Sequence, residues 1–509
     1  TDSSKTDPAG PLSGIYKIIR SSGTMREALA LNAVSEYGLG QMKFRLVAEA
    51  AVQDFSDIDP APFNFAAVKQ TTSVAQEGPD PNQPYFHVRL TLPIPNDSDK
   101  TLSGRLVGLD STVWSHNHSP GFTVLPNGDV IAVWFSGQNR DDERTERTRL
   151  IWARLRYGSE IWEPPQLFYD TRMNEQSALL WAEEDGTVWS ISGGLYNDNL
   201  LFRLAKSTDN GASWKSWFPE STAENGDVTP LPASNAFRDT SGNMYFSMDG
   251  GSSTFLWKST DNGLNWIDQG GRTSSIHAAM ARVPSGILSV TGRGNEEEIS
   301  SDWGITWTST PYQHNFYSSG SNQRPAAVRL KSGKIILAQD SAHSRYGESG
   351  ENPFLALSDV EGQTWFKRYL PVARRHQLAI TDDQVCGTLG YAAVDQAPNG
   401  TIHLLTTLTA PSMHYEFNEK WIYDNGTDMV PENSGGVINS YSETYTDGTP
   451  KAEWSARITP SGRYLLHGQE TTYYPDGSVE YSGYYENGLR TTASCFAPSG
   501  YKIWKWDYD

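Results

Sequence analysis

The chain of 509 residues carries 41 Lys and Arg against 60 Asp and Glu, a formal net charge of −19. That balance excludes nucleic acid and anionic membrane surfaces as partners, because both would be repelled over most of the protein. No apolar run approaches the ~20 residues of a membrane-spanning helix. The content of 45 Gly and 28 Pro beside 17 Trp and 24 Tyr favours many short strands and turns over long helices.

In chain order, residues 1–8 read as a solvated leader left after processing. Residues 25–34 have the composition of a short helix, and 42–51, 85–94 and 102–109 show strand patterns between polar breaks. Residues 1–112 are expected to lay strands onto the domain that follows and to complete its last unit. From residue 113 a hairpin of strand, polar turn with glycine, and strand recurs, with Gly128, Gly186, Gly242, Gly286, Gly333 and Gly400 at the turns. That makes six units over 113–437, and the N-terminal strands would supply a seventh. Beyond them, residues 438–509 repeat a different signal: Tyr445-Thr446-Asp447-Gly448, Tyr474-Pro475-Asp476-Gly477 and Tyr485-Glu486-Asn487-Gly488. Asp-Gly and Asn-Gly between aromatic-rich strands predict an antiparallel meander appended to the main domain. Cys386 and Cys495 could pair or remain two buried thiols.

A second repeat runs through the units. Ser207-Thr208-Asp209-Asn210-Gly211-Ala212-Ser213-Trp214 returns as Ser259-Thr260-Asp261-Asn262-Gly263-Leu264-Asn265-Trp266 and as Ser300-Ser301-Asp302-Trp303-Gly304-Ile305-Thr306-Trp307. A worn copy, with Val360 at the Asp position, is Ser358-Asp359-Val360-Glu361-Gly362-Gln363-Thr364-Trp365. Each octet makes sense as a hairpin clip: Ser and Asp bond nearby amides, Gly takes a positive φ, and Trp packs under the sheet. The octets begin near the ~40–50 residue period of propeller blades. They resemble the Asp boxes of the sialidase-like propeller superfamily, a likeness that covers roughly 113–422. The resemblance implies an all-β fold, a propeller of six or seven blades with seven favoured, that handles glycans at the centre of one face. It also implies an exported protein, whether secreted, periplasmic or at the cell surface.

Counting back nine or ten positions from each turn glycine gives the residues that reach one rim of the channel: His118, Gln176, His277, Arg324 with Gln323 beside it, and Tyr391. In the third unit the count is off, and Asn235 is the nearest polar residue. A register that is polar each time is what a central polar pocket requires. Arg293 closes the hairpin of its unit beside them, and with Arg324 it offers two planar forks for a carboxylate. His116 and His118 flank Asn117 in a glycosylation sequon, and His277, ahead of an Ala-rich strand, reads equally as a core histidine. The acidic run Asp141-Asp142-Glu143 reads as a solvated loop, with a structural calcium or other ion left open. His314, His343 and His376 lack the spacing of a metal site.

Sialidases use three arginines, a Tyr–Glu pair and an Asp acid. Their Arg-Ile-Pro motif is replaced here by Ser115-His116-Asn117-His118-Ser119-Pro120. The pocket composition is closer to the seven-bladed ulvan lyase and rhamnose–glucuronate lyase branch, whose resemblance implies β-elimination on a uronic-acid polysaccharide. In that reading His118 or His277 is the base, Tyr391 the acid or second base, and Arg293 and Arg324 neutralise the uronate. His116, Gln176, Asn235 and Gln323 would bind substrate. No cofactor is required, and the partner is an anionic polysaccharide or oligosaccharide taken up by a monomer. The alternatives are an exo-glycosidase of sialidase or rhamnosidase type and a non-catalytic glycan-binding propeller.

Overall fold

The computed structural model describes residues 12–21, 25–33, 50–51, 73–91, 116–137, 143, 148–163, 165–170, 174–197, 200–222, 231–293, 297–314, 316, 324–340, 353–370, 389–406, 413–424 and 433–507. Six sheets form a ring. Blade I comprises His116–Val124, Val130–Gly137, Arg149–Leu155 and Gln166–Tyr169, and blade II comprises Ala178–Ala182, Val188–Asn197, Leu200–Ser207 and Lys215–Trp217. Blade III holds Pro232–Arg238, Met244–Gly250, Ser253–Ser259 and Asn265–Asp268, with Glu220–Thr222 added in parallel at its edge. Blade IV holds Ala279–Val283, Gly286–Thr291, Glu298–Ser300 and Thr308–Ser309, and blade V holds Ala326–Arg329, Ile335–Asp340, Pro353–Ser358 and Trp365–Tyr369. Blade VI joins Ala393–Gln396, Ile402–Leu405 and Met413–Phe417 to Phe86–Leu90. The first strand of each blade lies against the first strand of the next, and that of blade VI against that of blade I. The protein is a β-propeller.

The preference for a seventh blade is corrected here. The 85–94 pattern forms Phe86–Leu90, which pairs antiparallel with Met413–Phe417 as the outermost strand of blade VI. An N-terminal strand placed there covers an edge that the last three strands would leave open, and it ties the two ends of the ring by backbone hydrogen bonds. The 25–34 segment is also not helical. Met25–Ala33 pairs with Leu12–Ser21, so hairpin pairing overrides the helix propensity of its Ala, Leu, Met and Glu residues. Of 42–51, Ala50–Ala51 pairs with Met25 and Arg26, and 102–109 lies outside the described residues.

Blades cover one another on both faces, which is why Val130–Gly137 is buried at every position and reads as a continuous apolar run. Trp134, Ile151 and Leu405 fill the gap between blades I and VI, and Phe202, Phe246 and Trp257 that between II and III. The turn glycines have positive φ. At Gly128 (φ 86°) a Cβ would stand 2.7 Å from the Tyr157 ring.

The octets fold as clips. Gly211 N–H donates to Ser207 Oγ at 2.9 Å, Ser213 N–H to Asp209 at 2.9 Å, and Trp214 Nε1–H to the Gly211 carbonyl at 3.2 Å. The copies at 259 and 300 repeat the Ser and Asp bonds. In the worn copy Asp359 takes the role one residue early: it accepts from Gln363 N–H at 3.0 Å and from Thr364 Oγ1 at 2.7 Å.

The C-terminal sheet has seven strands: Val437–Thr444, Pro450–Ile458, Tyr464–Leu466, Gly468–Tyr473, Val479–Glu486, Leu489–Phe496 and Lys502–Asp507. The first residue of two Tyr-x-Asp-Gly turns latches the neighbouring hairpin, Tyr445 Oη donating to Tyr473 O at 2.6 Å and Tyr474 Oη to Phe496 O at 2.8 Å. Tyr481, Ala493 and Trp504 pack onto Trp152 and Phe168 of blade I. Buried ion pairs join the same surfaces: Arg490 with Glu163, and Arg156 with both Asp129 and Glu470. Cys495 is half-buried, and Cys386 lies outside the described residues.

Candidate functional site

The site forms where the first strands begin, at the end of the channel away from the turn glycines. Tyr391 is its hub. It precedes the first strand of blade VI and is held to the entry of blade V by two backbone bonds, Arg324 N–H to Gly390 O at 3.2 Å and Ala392 N–H to Arg324 O at 3.1 Å. Asp340, at the end of the second strand of blade V, accepts from Leu389 N–H at 2.8 Å and so sets the approach to Tyr391.

His277 reaches Tyr391 from blade IV, with Nε2 at 3.1 Å from Tyr391 Oη. Its backbone is in the left-handed region (φ 57°), a conformation a branched or bulky residue adopts at a cost. Asp249, from the end of the second strand of blade III, compensates. It accepts from His277 N–H at 2.8 Å through one oxygen, and its other oxygen pairs with His277 Nδ1. A proton on Nδ1 leaves Nε2 to accept from the phenol. Asp249 is fully buried and also receives Thr254 Oγ1 at 3.1 Å. Burial holds the His277 imidazole below its usual range, outweighing the pull of Asp249, which favours the neutral ring. Burial also pushes the Tyr391 phenol up, with Asp249 and Glu143 adding to the rise and Arg293 and Arg324 opposing it.

Arg293 donates from Nη2 to Tyr391 Oη. Its backbone N–H bonds Ile276 O at 2.9 Å, and Gly292 allows this approach, since a Cβ there would lie 2.7 Å from that of Ser275. Arg324 stands beneath the Tyr391 ring at 5.1 Å from its centroid. Its fork does not face open space as the two-fork reading expects: Nη1 donates to Ser119 Oγ at 3.2 Å and Pro232 O at 3.3 Å, and Nη2 to Pro120 O at 2.8 Å. Arg324 therefore acts on Tyr391 through charge from below, and Arg293 is the cation at its hydroxyl. His118 lies on another side, its ring centroid 4.3 Å from that of Tyr391.

The structure thus brings His118, His277, Arg293, Arg324 and Tyr391 together. Asn235 goes elsewhere. A register shift between Pro232 and Ala236 displaces it into the channel, where its Nδ2 donates to Met280 O at 2.6 Å and to Ala327 O. Gln176 Nε2 donates to the Glu143 carbonyl, which also receives Asn174 Nδ2 at 2.7 Å. The two amides anchor Glu143, half-buried and close enough to act electrostatically on Tyr391, so this part of the acidic run is not a freely solvated loop. The side chain of His116 and all of Gln323 lie outside the described residues. Asn117 is buried and its Oδ1 accepts from Trp134 Nε1–H at 3.1 Å, so the sequon is folded away from any glycan.

Sequence reasoning missed Asp249, Asp340 and Glu143. The signal for the first two was available: each is a carboxylate near the end of a strand that is buried throughout and mostly apolar, and such a group needs a partner.

Among the described residues, His403, His414 and Glu416 have ligand atoms close enough for one metal ion. They do not fit one, because Arg89 already occupies the set. Its Nη1 donates to Glu416 and, at 3.2 Å, to His414 Nδ1, which leaves His414 Nε2 to donate to His403 Nδ1 at 2.9 Å. A dication beside that guanidinium would meet its charge directly.

No family model and no curated protein matches the sequence. Solved structures of similar shape include a protein of unknown function from Dyadobacter fermentans (TM-score 0.44, 17% identity, covering 60% of this chain and 95% of that one). A Hadza microbial sialidase has TM-score 0.45 and 14% identity over 60% of this chain and 66% of its own. The intramolecular trans-sialidase of Ruminococcus gnavus has TM-score 0.43 and 11% identity over 62% and 97%. No helix among the described residues is long and apolar enough to cross a membrane.

Proposed function

We propose that this protein is a glycan-processing enzyme of the Asp-box propeller type, acting outside the cytoplasm on an acidic glycan, and that Tyr391 is its reacting group. One observation carries the reading: the Tyr391 hydroxyl bonds to the His277 imidazole, whose other nitrogen is paired with buried Asp249. A weak nucleophile activated by an oriented base is the logic of covalent catalysis. Because Nε2 of His277 is spent on Tyr391, the phenol and not the imidazole would meet the substrate, which favours glycoside hydrolysis over the elimination expected from pocket composition. Tyr391 Oη would attack the anomeric carbon as its proton passes to His277 Nε2. Glu143 would protonate the departing glycosidic oxygen, and water would then release the sugar from Tyr391. Arg293 and Arg324 would stabilise the phenolate.

A second reading keeps elimination, favoured by the His118 ring packed at 4.3 Å from that of Tyr391. There the Tyr391 phenolate takes the proton from C5 of a uronate, the C4–O bond breaks, and the leaving oxygen takes a proton from His118. Incubation with uronate polysaccharides, ulvan included, and with sialyl and rhamnosyl glycans separates the two. Hydrolysis releases reducing sugar with no ultraviolet signal, whereas elimination yields an absorbing unsaturated uronate. Either product should vanish in Tyr391→Phe. Glycan binding without any product would identify a binding protein and overturn both readings.

A further inference from the structure

The channel behind the site is open from the other face. A cavity of about 430 Å³ runs from Arg324 along the first strands to the residues just ahead of the turn glycines, walled by small residues such as Gly121, Ala178, Ala281 and Ala326. Three arginines line it, and none forms an ion pair among the described residues, although the chain carries a net charge of −19. Arg282 and Arg329 hold equivalent places at the ends of their strands. Each spends one amino group on the preceding blade, Arg282 Nη1 on Arg238 O at 2.6 Å and Arg329 Nη1 on Arg282 O at 3.0 Å. Arg324, 4% exposed, closes the inner end, and its Nε has no hydrogen-bond partner. Arg238, at the corresponding end of the first strand of blade III, differs in that its charge is answered by Glu183 at 2.5 Å. Of the two carboxylates on the wall, Asp395 has both oxygens occupied by Thr123, Val124 N–H and Gln396 N–H, and Glu184 is exposed.

Buried or half-buried cations without a counter-ion are costly, and an anion entering the cavity from the turn face would answer the charge of Arg282 and Arg329 there, with Arg324 the next cation inward. We propose that the turn-face channel is a second binding site, separate from the Tyr391 face, for a small anion that bears a carboxylate or phosphate. The cavity is of a size to admit inorganic phosphate or one sugar acid, and the guanidinium fork suits either oxyanion.

Calorimetric titration of the full chain with inorganic phosphate and, separately, with glucuronate at fixed ionic strength tests this. At least one should bind saturably, and which one does names the source of the anion. Tyr391→Phe should leave that affinity unchanged. Arg329→Gln should weaken it about tenfold, the loss expected for one charge-assisted bond, and Arg329→Lys should restore most of it. A thermal melt of each variant confirms folding, and Arg329 is only half-buried, so both should fold. Two outcomes would overturn the proposal: no saturable binding of either anion, or binding lost in Tyr391→Phe and kept in Arg329→Gln.

Discussion

Asp129→Ala should be among the most damaging single substitutions in the propeller. Asp129 is fully buried in the first turn of blade I and accepts from Arg154 Nε at 2.9 Å and Nη2 at 2.6 Å, Arg156 Nη1 at 3.2 Å and Tyr157 N–H at 2.7 Å. Burial pushes its carboxyl up, but Arg154, Arg156 and the backbone bond outweigh that and hold it below the usual range. Arg154 in turn donates to Asn210 O of the blade II octet at 2.6 Å, and Arg156 to Glu470 of the C-terminal sheet at 3.2 Å. Removing the carboxylate takes from Arg154, 1% exposed, the counter-charge that its Nε and Nη2 both bond. Breaking a buried pair from one side costs about 3–5 kcal/mol. At about 1 °C per kcal/mol for a chain of this size, a loss of about 4 kcal/mol lowers Tm by about 4 °C. Differential scanning fluorimetry measures this directly. Arg154→Met added to Asp129→Ala should recover part of the loss, since it removes the guanidinium along with its counter-charge. A Tm within about 2 °C of the parent, or a double variant no better than the single one, would refute the reasoning.

Asp249→Asn should cut turnover on whichever glycan the protein processes by about 10²–10⁴-fold with little change in KM, because the amide cannot orient and stabilise His277 as Asp249 does; a kcat within a factor of about two of the parent would remove Asp249 from the mechanism. The ring closure should be acid-sensitive. Burial lowers His403 to about 4 and His414 below its usual range, against about 6.5 when unfolded. The folded state thus binds fewer protons, and stability is complete above pH ~6.5 and falls as pH drops toward ~4, by about 2 kcal/mol at pH 5 from His403 alone. Glu416, held well below its usual range by Arg89 against the effect of burial, acts in the same sense. A Tm that stays level from pH 7 to 5 would contradict this. A chain ending before residue 433 should express insoluble, because it exposes Trp152 and Phe168 and strands Glu163 beneath the missing Arg490; a soluble, cooperatively melting fragment would show the C-terminal sheet to be dispensable.

The repeats were legible because each works through neighbours in sequence. An octet satisfies its own amides within eight residues, and a turn glycine answers to its own φ, so both mark blades without knowledge of the ring. The register count carried further, to His118, His277, Arg324 and Tyr391, since first strands begin at a constant distance from their turns. It failed at Asn235, where a register shift breaks that constancy.

What the sequence alone determined is therefore an all-β chain of blade-like hairpins with a polar rim and an appended meander. Tertiary structure alone decided the number of blades, because whether Phe86–Leu90 founds a blade or finishes one depends on a partner more than 300 residues away. It also decided the direction of each cation. Arg293 and Arg324 look alike in sequence, yet one meets the Tyr391 hydroxyl while the other turns its fork to Ser119, Pro120 and Pro232. Asp249 became the partner of His277 in the same way: the end of one blade's second strand meets the start of the next blade's first strand only once the two blades have packed together.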